Sequence, residues 1–197
     1  MSNTANAASP ALNTEIIMIT DRSGSMSSIR RDAEGGFNAF IAEQKKLDGE
    51  CRVTSVMFND RATIEYQARP IQEVPQTSLV PSGMTSLYDT VHKVLTEQGK
   101  RIYEENWADI VIVTILTDGD DTSSREHTPS EIKEMIEHAQ NHGWKFIFLA
   151  ANQDAFAAGS SLGISKSTTR AFAATASGVA SAYSDINSMT TSLRTHG

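Results

Sequence analysis

The chain has 197 residues, of which 39% are hydrophobic, and this is enough for one domain with a sizeable core. A formal charge of −7 argues against a nucleic-acid partner, because phosphate binding needs a basic surface. The single cysteine, Cys51, cannot form an internal disulfide, and no apolar run reaches the roughly 20 residues of a transmembrane helix. We therefore expect a cytoplasmic protein without membrane insertion, with a flexible segment over residues 1–13 and one domain over residues 14–197.

Apolar runs and amphipathic stretches alternate along the chain. This alternation is typical of a parallel sheet covered by helices on both faces. It predicts an α/β fold of three αβα layers, doubly wound like a Rossmann fold, whose mostly parallel sheet has one antiparallel edge strand. The predicted strands are Ile16–Thr20, Cys51–Phe58, Arg61–Gln67, Asp109–Leu116 and Trp144–Leu149, and the predicted helices are Ser27–Leu47, Ser86–Gln98, Ser130–Asn141 and a terminal helix with an apolar face from Phe172 to Leu193.

Two glycines, Gly35 and Gly36, interrupt the first helical pattern. Each costs about 1 kcal/mol relative to alanine inside a helix, so the pair indicates a close approach to the sheet or a local kink. Asn59 and Asp60 separate the second and third strands and suit a tight hairpin, which makes the third strand the antiparallel one.

Three polar loops follow the apolar strands or precede a helix at the same predicted edge of the sheet. They are Asp21-x-Ser23-x-Ser25 after the first strand, Gly83-Met84-Thr85-Ser86 before the second helix, and Thr117-Asp118-Gly119 after the most apolar strand. Open α/β sheets bind ligands at the carboxyl ends of their strands. Hydroxyl and carboxylate oxygens are the ligands that a hard divalent cation such as Mg²⁺ prefers. The three loops together therefore predict an oxygen-only cation site.

These three motifs, in this order, resemble the von Willebrand factor A (VWA) family and its metal-ion-dependent adhesion site (MIDAS), and the chain looks like a single-domain bacterial or phage-like member. The resemblance implies that Ser23, Ser25 and Thr85 offer hydroxyl oxygens, while Asp21 and Asp118 act directly or through water. It implies Mg²⁺, with Mn²⁺ or Ca²⁺ as alternatives, and a protein partner whose Asp or Glu completes the metal's coordination. Some relatives work beside AAA-type ATPases. The expected function is protein binding without catalysis.

Three alternatives stay open at this point. Asp21 and Ser23 could cap the following helix, although such caps would not explain Thr85 or Asp118. The chain could be a Mg²⁺-dependent phosphate-processing hydrolase in which Asp21 attacks phosphorus, but phosphatases of the haloacid-dehalogenase type need a second aspartate where Ser23 stands. A scaffold that no longer binds metal is the third alternative.

Four other acidic or amide residues lie near these loops. Asp89 lies one helical turn after Thr85 and could hydrogen-bond to the metal-binding side chains or lie on the surface. Asp120 and Asp121 lack the spacing of a calcium-binding EF-hand and are expected to be solvated. Asn152 is expected to cap a helix after the last predicted strand.

Four histidines yield no catalytic or metal prediction. His138 and His142 have the spacing of a zinc pair, but Ala139 replaces the glutamate of a metalloprotease, so a polar helix end explains them better. His92 and His127 have no serine or cysteine in a recognisable catalytic order. We therefore assign no catalytic residue.

Overall fold

The computed structural model of the chain describes residues 12–151 and 154–196. Residues 1–11 of the predicted flexible segment lie outside the described residues, so the boundary of that segment stays a prediction. Leu12 is partly buried against the core, and the Asn13 amide donates to the Asp109 carboxylate at 2.8 Å. The described chain is thus attached to the domain from its first residues.

Six strands form one sheet in the order β3-β2-β1-β4-β5-β6, with helices on both faces. Among the described strands only β3 is antiparallel to its neighbour, and the predicted fold class is confirmed. No helix in the described part of the chain is long and apolar enough to cross a membrane. In chain order the elements are β1 (Thr14–Asp21), α1 (Arg30–Gln44), β2 (Cys51–Phe58), β3 (Ala62–Pro70), α2 (Leu87–Glu105), β4 (Ile110–Thr117), α3 (Pro129–Asn141), β5 (Lys145–Ala151), α4 (Ala155–Ser161), β6 (Thr169–Phe172) and α5 (Ala176–His196).

The central strands are apolar on both faces because each face meets its own hydrophobic core. In β1, Ile16 and Met18 belong to the core under α1 and α5, while Ile17 and Ile19 belong to the core under α2, α3 and α4. All four are at most 1% exposed. Side chains alternate between the faces of a strand, so an unbroken apolar run is what a strand buried on both sides requires.

The strand register brings the ends of β1 and β4 to the same level. Thr20 pairs with Leu116, so Asp21 lies level with Thr117, the last residue of β4. On the other side of β1, Asp21 pairs with Phe58, the last residue of β2. The first of the three predicted loops therefore leaves the sheet at its carboxyl edge between two parallel neighbours.

The last third of the chain differs from the prediction in two elements. The sequence pattern does not predict the four-residue strand β6. The helix expected after the last predicted strand is the short helix α4, which begins at Ala155 with Asp154 as its N-cap, so the expected cap at Asn152 is wrong. Phe172 was assigned to the terminal helix, which is wrong, because it ends β6 and pairs with Ala151 of β5. The terminal helix begins only at Ala176. The spacing of Phe172 matches the helical face by coincidence, since its burial comes from the sheet.

The glycine pair in α1 serves a helix contact and not an approach to the sheet. A Cβ on Gly36 would clash with the Tyr183 ring of α5, whereas a Cβ on Gly35 would meet open space. Tyr183 is 4% exposed and packs in the core under these helices. Gly36 thus lets α1 and α5 pack closely over the sheet.

Candidate metal site

Asp21 anchors the candidate site at the end of β1. Its side chain is fully buried, one carboxylate oxygen accepts a hydrogen bond from the Ser23 amide at 2.6 Å, and the other accepts one from the Thr117 hydroxyl at 2.7 Å. The first contact turns the chain sharply after the strand, and the second joins β1 to β4. Local turn geometry and strand register together fix this carboxylate.

The two serines of the loop connect Asp21 to the end of β4. Ser23 Oγ and Ser25 Oγ lie 3.0 Å apart, and Ser25 Oγ donates to Asp118 Oδ1 at 2.7 Å. Ser23 and Asp118 are 2% and 3% exposed, while Ser25 is exposed. The cluster is therefore buried at its base and open to solvent at Ser25.

Helix capping does not explain Asp21 and Ser23. Ser23 precedes a short 3₁₀ turn over Gly24–Ser28, and its side chain makes no capping hydrogen bond. Helix α1 begins after Ile29, which also has no side-chain cap. The polar side chains of this loop point into the cluster with Asp118, which removes the capping alternative.

The segment that carries Thr85 lies directly against the first loop. The Gly24 amide donates to the Gly83 carbonyl at 3.0 Å, and the Ser82 amide donates to the Arg22 carbonyl at 2.9 Å. Gly83 has a φ of +73°, and a Cβ there would clash with the Asp60 carboxylate, so glycine is needed at this turn. Thr85 is 5% exposed. The predicted threonine is thus buried, two residues after a glycine that contacts the first loop.

A second set of backbone contacts joins Thr85 to the loop after Asp118. The Thr85 carbonyl accepts from the Thr122 and Ser123 amides at 2.8 and 3.0 Å, and the Thr85 amide donates to Thr122 Oγ1 at 3.0 Å. These contacts bring the second and third predicted loops together. All three loops therefore meet at one edge of the sheet.

Two aspartates fix the loop after Asp118 to the start of α2. Asp121 accepts from the Tyr88 amide and the Ser124 amide, both at 3.1 Å, so its assignment as a solvated residue is wrong. Asp89 accepts from three successive amides, those of residues 125, 126 and 127, at 2.9, 3.2 and 2.9 Å. We call these two residues and their contacts the aspartate clamp. Asp120 is exposed, in agreement with the prediction.

No local residue pattern predicts the hydrogen bonds of the aspartate clamp. Asp89 was considered as a partner of the metal-binding side chains, whereas its described hydrogen bonds go to the backbone of the following loop. Contacts between residues more than 30 positions apart leave no local pattern. The spacing of Asp89 from Thr85, one helical turn, was the one available hint that both lie near the site.

Burial shapes the electrostatics of the two site carboxylates. It raises the pKa of Asp21, against the opposing effect of the hydrogen bonds from Ser23 and Thr117, and the neighbouring Asp118 raises it further. Burial likewise raises the pKa of Asp118, and the Ser25 hydroxyl opposes this shift. The folded chain thus brings together two carboxyl groups in a region where negative charge is costly.

The described ring contacts of the histidines involve groups outside this cluster. His142 Nδ1 lies 2.8 Å from the His138 carbonyl at the end of α3, and His92 stacks on His127 with ring centroids 3.5 Å apart. Among the described residues no group of three or more His, Cys, Asp or Glu side chains is arranged to hold a metal. Asn152 lies outside the described residues, and Asp154 is the N-cap of α4, where its carboxylate accepts two backbone hydrogen bonds.

Comparison with known proteins finds similarity of structure. No protein-family model matches the sequence, and no curated protein does so either. The chain is similar to proximal thread matrix protein 1 from the mussel byssus with a zinc-occupied MIDAS motif, at a TM-score of 0.67 and 15% identity over 93% of this chain and 47% of that one. It spans about half the length of that protein.

Two further structures agree with this result. One is the vWF domain of the type V pili tip protein Mfa5 from Porphyromonas gingivalis, with a TM-score of 0.65 and 13% identity over 96% of this chain and 98% of that one. The other is the manganese-loaded TRAP protein of Plasmodium vivax, with a TM-score of 0.58 and 14% identity over 86% of this chain and 71% of that one. The chain has the von Willebrand factor A fold. Within this fold, the three oxygen-bearing loops lie at the carboxyl edge of the sheet.

The oxygen donors of the candidate site suit a hard divalent cation. The described cluster consists of hydroxyl and carboxylate oxygens, which hard cations prefer over the nitrogen and sulfur ligands favoured by softer metals. A cation there would offset the cost of two buried carboxylates. Because Ser25 is exposed, a group from outside could also reach the cluster.

Proposed function

We propose that this chain is a protein-binding module that uses a divalent cation to capture a carboxylate of a partner protein. The hydroxyls of Ser23, Ser25 and Thr85 would hold the cation, with Asp21 and Asp118 binding directly or through water. The observation that carries the proposal is the pair of buried carboxyl groups in a cluster of oxygen donors, where burial raises both pKa values. A bound cation would favour their ionised forms.

The ligand chemistry supports an open coordination position. Neutral hydroxyls leave more of the cation's charge unneutralised than carboxylates would, so the ion retains affinity for one further anionic oxygen. An Asp or Glu side chain of a partner supplies such an oxygen. The proteins of the same fold that were solved with zinc and with manganese support a divalent metal in general. We propose Mg²⁺ here, with Mn²⁺ or Ca²⁺ as alternatives.

The hydrolase alternative has less support from the geometry of Asp21. A nucleophilic carboxylate needs one oxygen that can approach phosphorus, but both Asp21 oxygens accept hydrogen bonds and the side chain is fully buried. Ser23 also stands where haloacid-dehalogenase-type phosphatases need a second aspartate. We therefore propose binding without catalysis. Release of phosphate from an aryl phosphate by the native protein, lost in Asp21→Asn, would reverse this preference.

Calorimetric titration with Mg²⁺ tests the metal site. The native protein should bind one equivalent, whereas Asp21→Ala and Thr85→Ala should bind at least about tenfold more weakly. Asp120→Ala is the matched control, since it removes an exposed carboxylate from the adjacent loop. If the native protein binds no more Mg²⁺ than Asp21→Ala does, the metal proposal is wrong, and a scaffold without metal becomes the better interpretation.

Affinity capture tests the partner. The chain, immobilised with Mg²⁺, should retain a protein that chelator releases and that Asp21→Ala does not retain. Replacement of single Asp or Glu residues in that protein should then identify the carboxylate that reaches the metal. We further propose a cytoplasmic setting and an AAA-type ATPase system as the first partner to test. Retention that chelator and Asp21→Ala leave unchanged would contradict metal-dependent capture.

A further inference from the structure

A long groove runs between α2 and α3 on the face of the domain that these helices cover. Its volume is about 950 Å³, and Val111 of β4 is among the residues that line it. On α2 it extends from His92 to Asn106, about four helical turns or ~21 Å. The stacked rings of His92 and His127 lie at the end nearer the aspartate clamp. The groove is thus separate from the oxygen cluster of the proposed metal site.

The walls of this α2–α3 groove are largely apolar. Leu95 and Ile102 line it from α2, and Met135 lines it from α3. Tyr103 also lines it and is 87% exposed, the largest exposure among the large hydrophobic side chains of the described residues. An exposed aromatic side chain beside an apolar channel is typical of a protein-binding surface. The groove therefore has the surface chemistry of a binding site.

The charged side chains of the groove carry one sign. Asp109, Glu131 and Glu134 line it and are exposed. Among the described residues that line the groove there is no lysine or arginine. Carboxylates along an apolar channel complement a ligand that combines apolar side chains with positive charge. The acidic lining therefore favours a partner with positively charged side chains.

The shape of the groove favours a helix as the ligand. Two neighbouring helices form its walls, and a third helix can pack its side chains into the channel between them. A helix satisfies its own backbone hydrogen bonds, whereas a peptide that binds as an added strand would need a free strand edge. The strand that lines the groove, β4, is paired on both sides within the sheet. A helix of about 14 residues would match the length of the groove.

We propose that the α2–α3 groove binds an amphipathic, basic helix of a partner protein. The apolar face of that helix contacts Leu95, Ile102, Tyr103 and Met135, and its lysine or arginine side chains contact Glu131 and Glu134. The interaction does not involve a metal ion. It goes beyond the proposed function, since it is a second binding surface on a different side of the domain.

A defined probe tests this proposal. The probe is an acetylated peptide of two heptads, each Lys-Leu-Leu-Lys-Leu-Leu-Lys, and a peptide with glutamate in place of lysine is its control. Binding to the full chain is measured by fluorescence anisotropy in the presence of chelator, and backbone chemical shifts locate the site. We expect the basic peptide to bind and to shift resonances of α2 and α3, and we expect the acidic peptide not to bind.

Three variants sharpen the test. Tyr103→Ala and Glu134→Lys should each weaken peptide binding by about tenfold, as expected for loss of a central contact. Glu50→Lys is the matched control, because it makes the same charge change at an exposed position that does not line the groove, and it should change affinity less than about twofold. All three replaced positions are exposed, so the variants are expected to fold.

Two results would overturn the proposal. One is an equal loss of affinity in Glu50→Lys and Glu134→Lys, which would mean that the peptide responds to net charge alone. The other is a set of shifted resonances outside α2 and α3. Since the assay contains chelator, failure here is distinguishable from failure of the metal site, which the Mg²⁺ titration measures separately.

Discussion

Replacing Asp21 by asparagine is expected to stabilise the metal-free protein and to abolish its stabilisation by metal. The side chain is fully buried and accepts from two neutral donors, the Ser23 amide and the Thr117 hydroxyl. An asparagine can keep both contacts, because its amide group can donate to Thr117 Oγ1 while that hydroxyl donates to the Gly119 carbonyl at 3.0 Å. The substitution removes a charge with little change in packing.

The expected increase in stability depends on how burial and hydrogen bonding act on the Asp21 carboxylate. Burial raises its pKa despite the two hydrogen bonds, so the charged form is disfavoured in the folded chain. Removing such a charge recovers about 1–2 kcal/mol of unfolding free energy. In a domain of this size each 1 kcal/mol corresponds to ~2–4 °C in Tm. In chelator, Asp21→Asn should therefore melt ~2–8 °C above the native protein.

The difference in Tm between the native protein and Asp21→Asn should increase as the pH rises. Because the folded pKa of Asp21 lies above its ordinary value of 3.8, the native state keeps a proton that the unfolded chain releases. The stability that this group contributes therefore falls as the pH rises from 3.8 through the folded pKa. In chelator, the native protein and Asp21→Asn should converge in Tm toward pH 3.8 and diverge toward neutral pH.

Metal should reverse the order of the two proteins. At a concentration of about 100 times Kd, Mg²⁺ would stabilise the native protein by about 2.7 kcal/mol, whereas Asp21→Asn should gain little. The assay is thermal melting in chelator and in saturating MgCl₂, with Asp120→Asn as a control that should change neither Tm. A lower Tm for Asp21→Asn in chelator, or an undiminished rise with Mg²⁺, would refute the reasoning.

Three further outcomes rest on particular contacts. Gly36→Ala should lower the free energy of unfolding by about 1–3 kcal/mol, because its methyl group would clash with the Tyr183 ring. Gly35→Ala, in the same helix, should raise it by up to about 1 kcal/mol. Equal Tm values for the two variants would contradict this. Tyr183→Phe should raise it by about 1 kcal/mol in denaturant titrations, because the buried hydroxyl has no hydrogen-bond partner in the described part of the chain. Asp89→Ala should weaken Mg²⁺ binding by about tenfold and speed hydrogen exchange at the amides of residues 125–127. If these amides exchange as slowly in the variant as in the native protein, Asp89 does not position the loop.

The parts of the fold that could be predicted from sequence are those with strong local periodicity. The run Cys51–Phe58 forms a strand with the predicted bounds. The helix predicted over Ser130–Asn141 begins one residue earlier, at Pro129, and Thr128 before it forms a capping box with Glu131. Strand β6 has only four residues, too few for an apolar periodicity to be detected. Phe172 is therefore wrongly placed in the terminal helix, because a buried strand position and a buried helix position both favour apolar residues such as phenylalanine.

Part of the candidate site could likewise be predicted from the sequence, and part could not. Asp21, Ser23 and Asp118 follow apolar strands, so topology alone brings them to one edge of the sheet. The aspartate clamp depends on side chains that accept hydrogen bonds from backbone amides distant in the sequence. No residue pattern predicts such contacts. The distances within the cluster are therefore a property of the folded loops. The same loops explain why Asp121 is partly buried although it stands in an acidic, loop-like run.

The aspartate clamp also determines how Thr85 and Asp118 can move. Thr85 has no strand of its own, because it lies just before α2, and backbone hydrogen bonds to Thr122 and Ser123 join it to the loop that follows Asp118. Asp89 and Asp121 hold the rest of that loop on the first turn of the same helix. A displacement of the loop would therefore break contacts to α2 at several points at once. The hydroxyl and the carboxylate that the proposed metal requires are thus positioned as a unit, and Asp89, which makes three of these contacts, is the residue at which that unit is most directly tested.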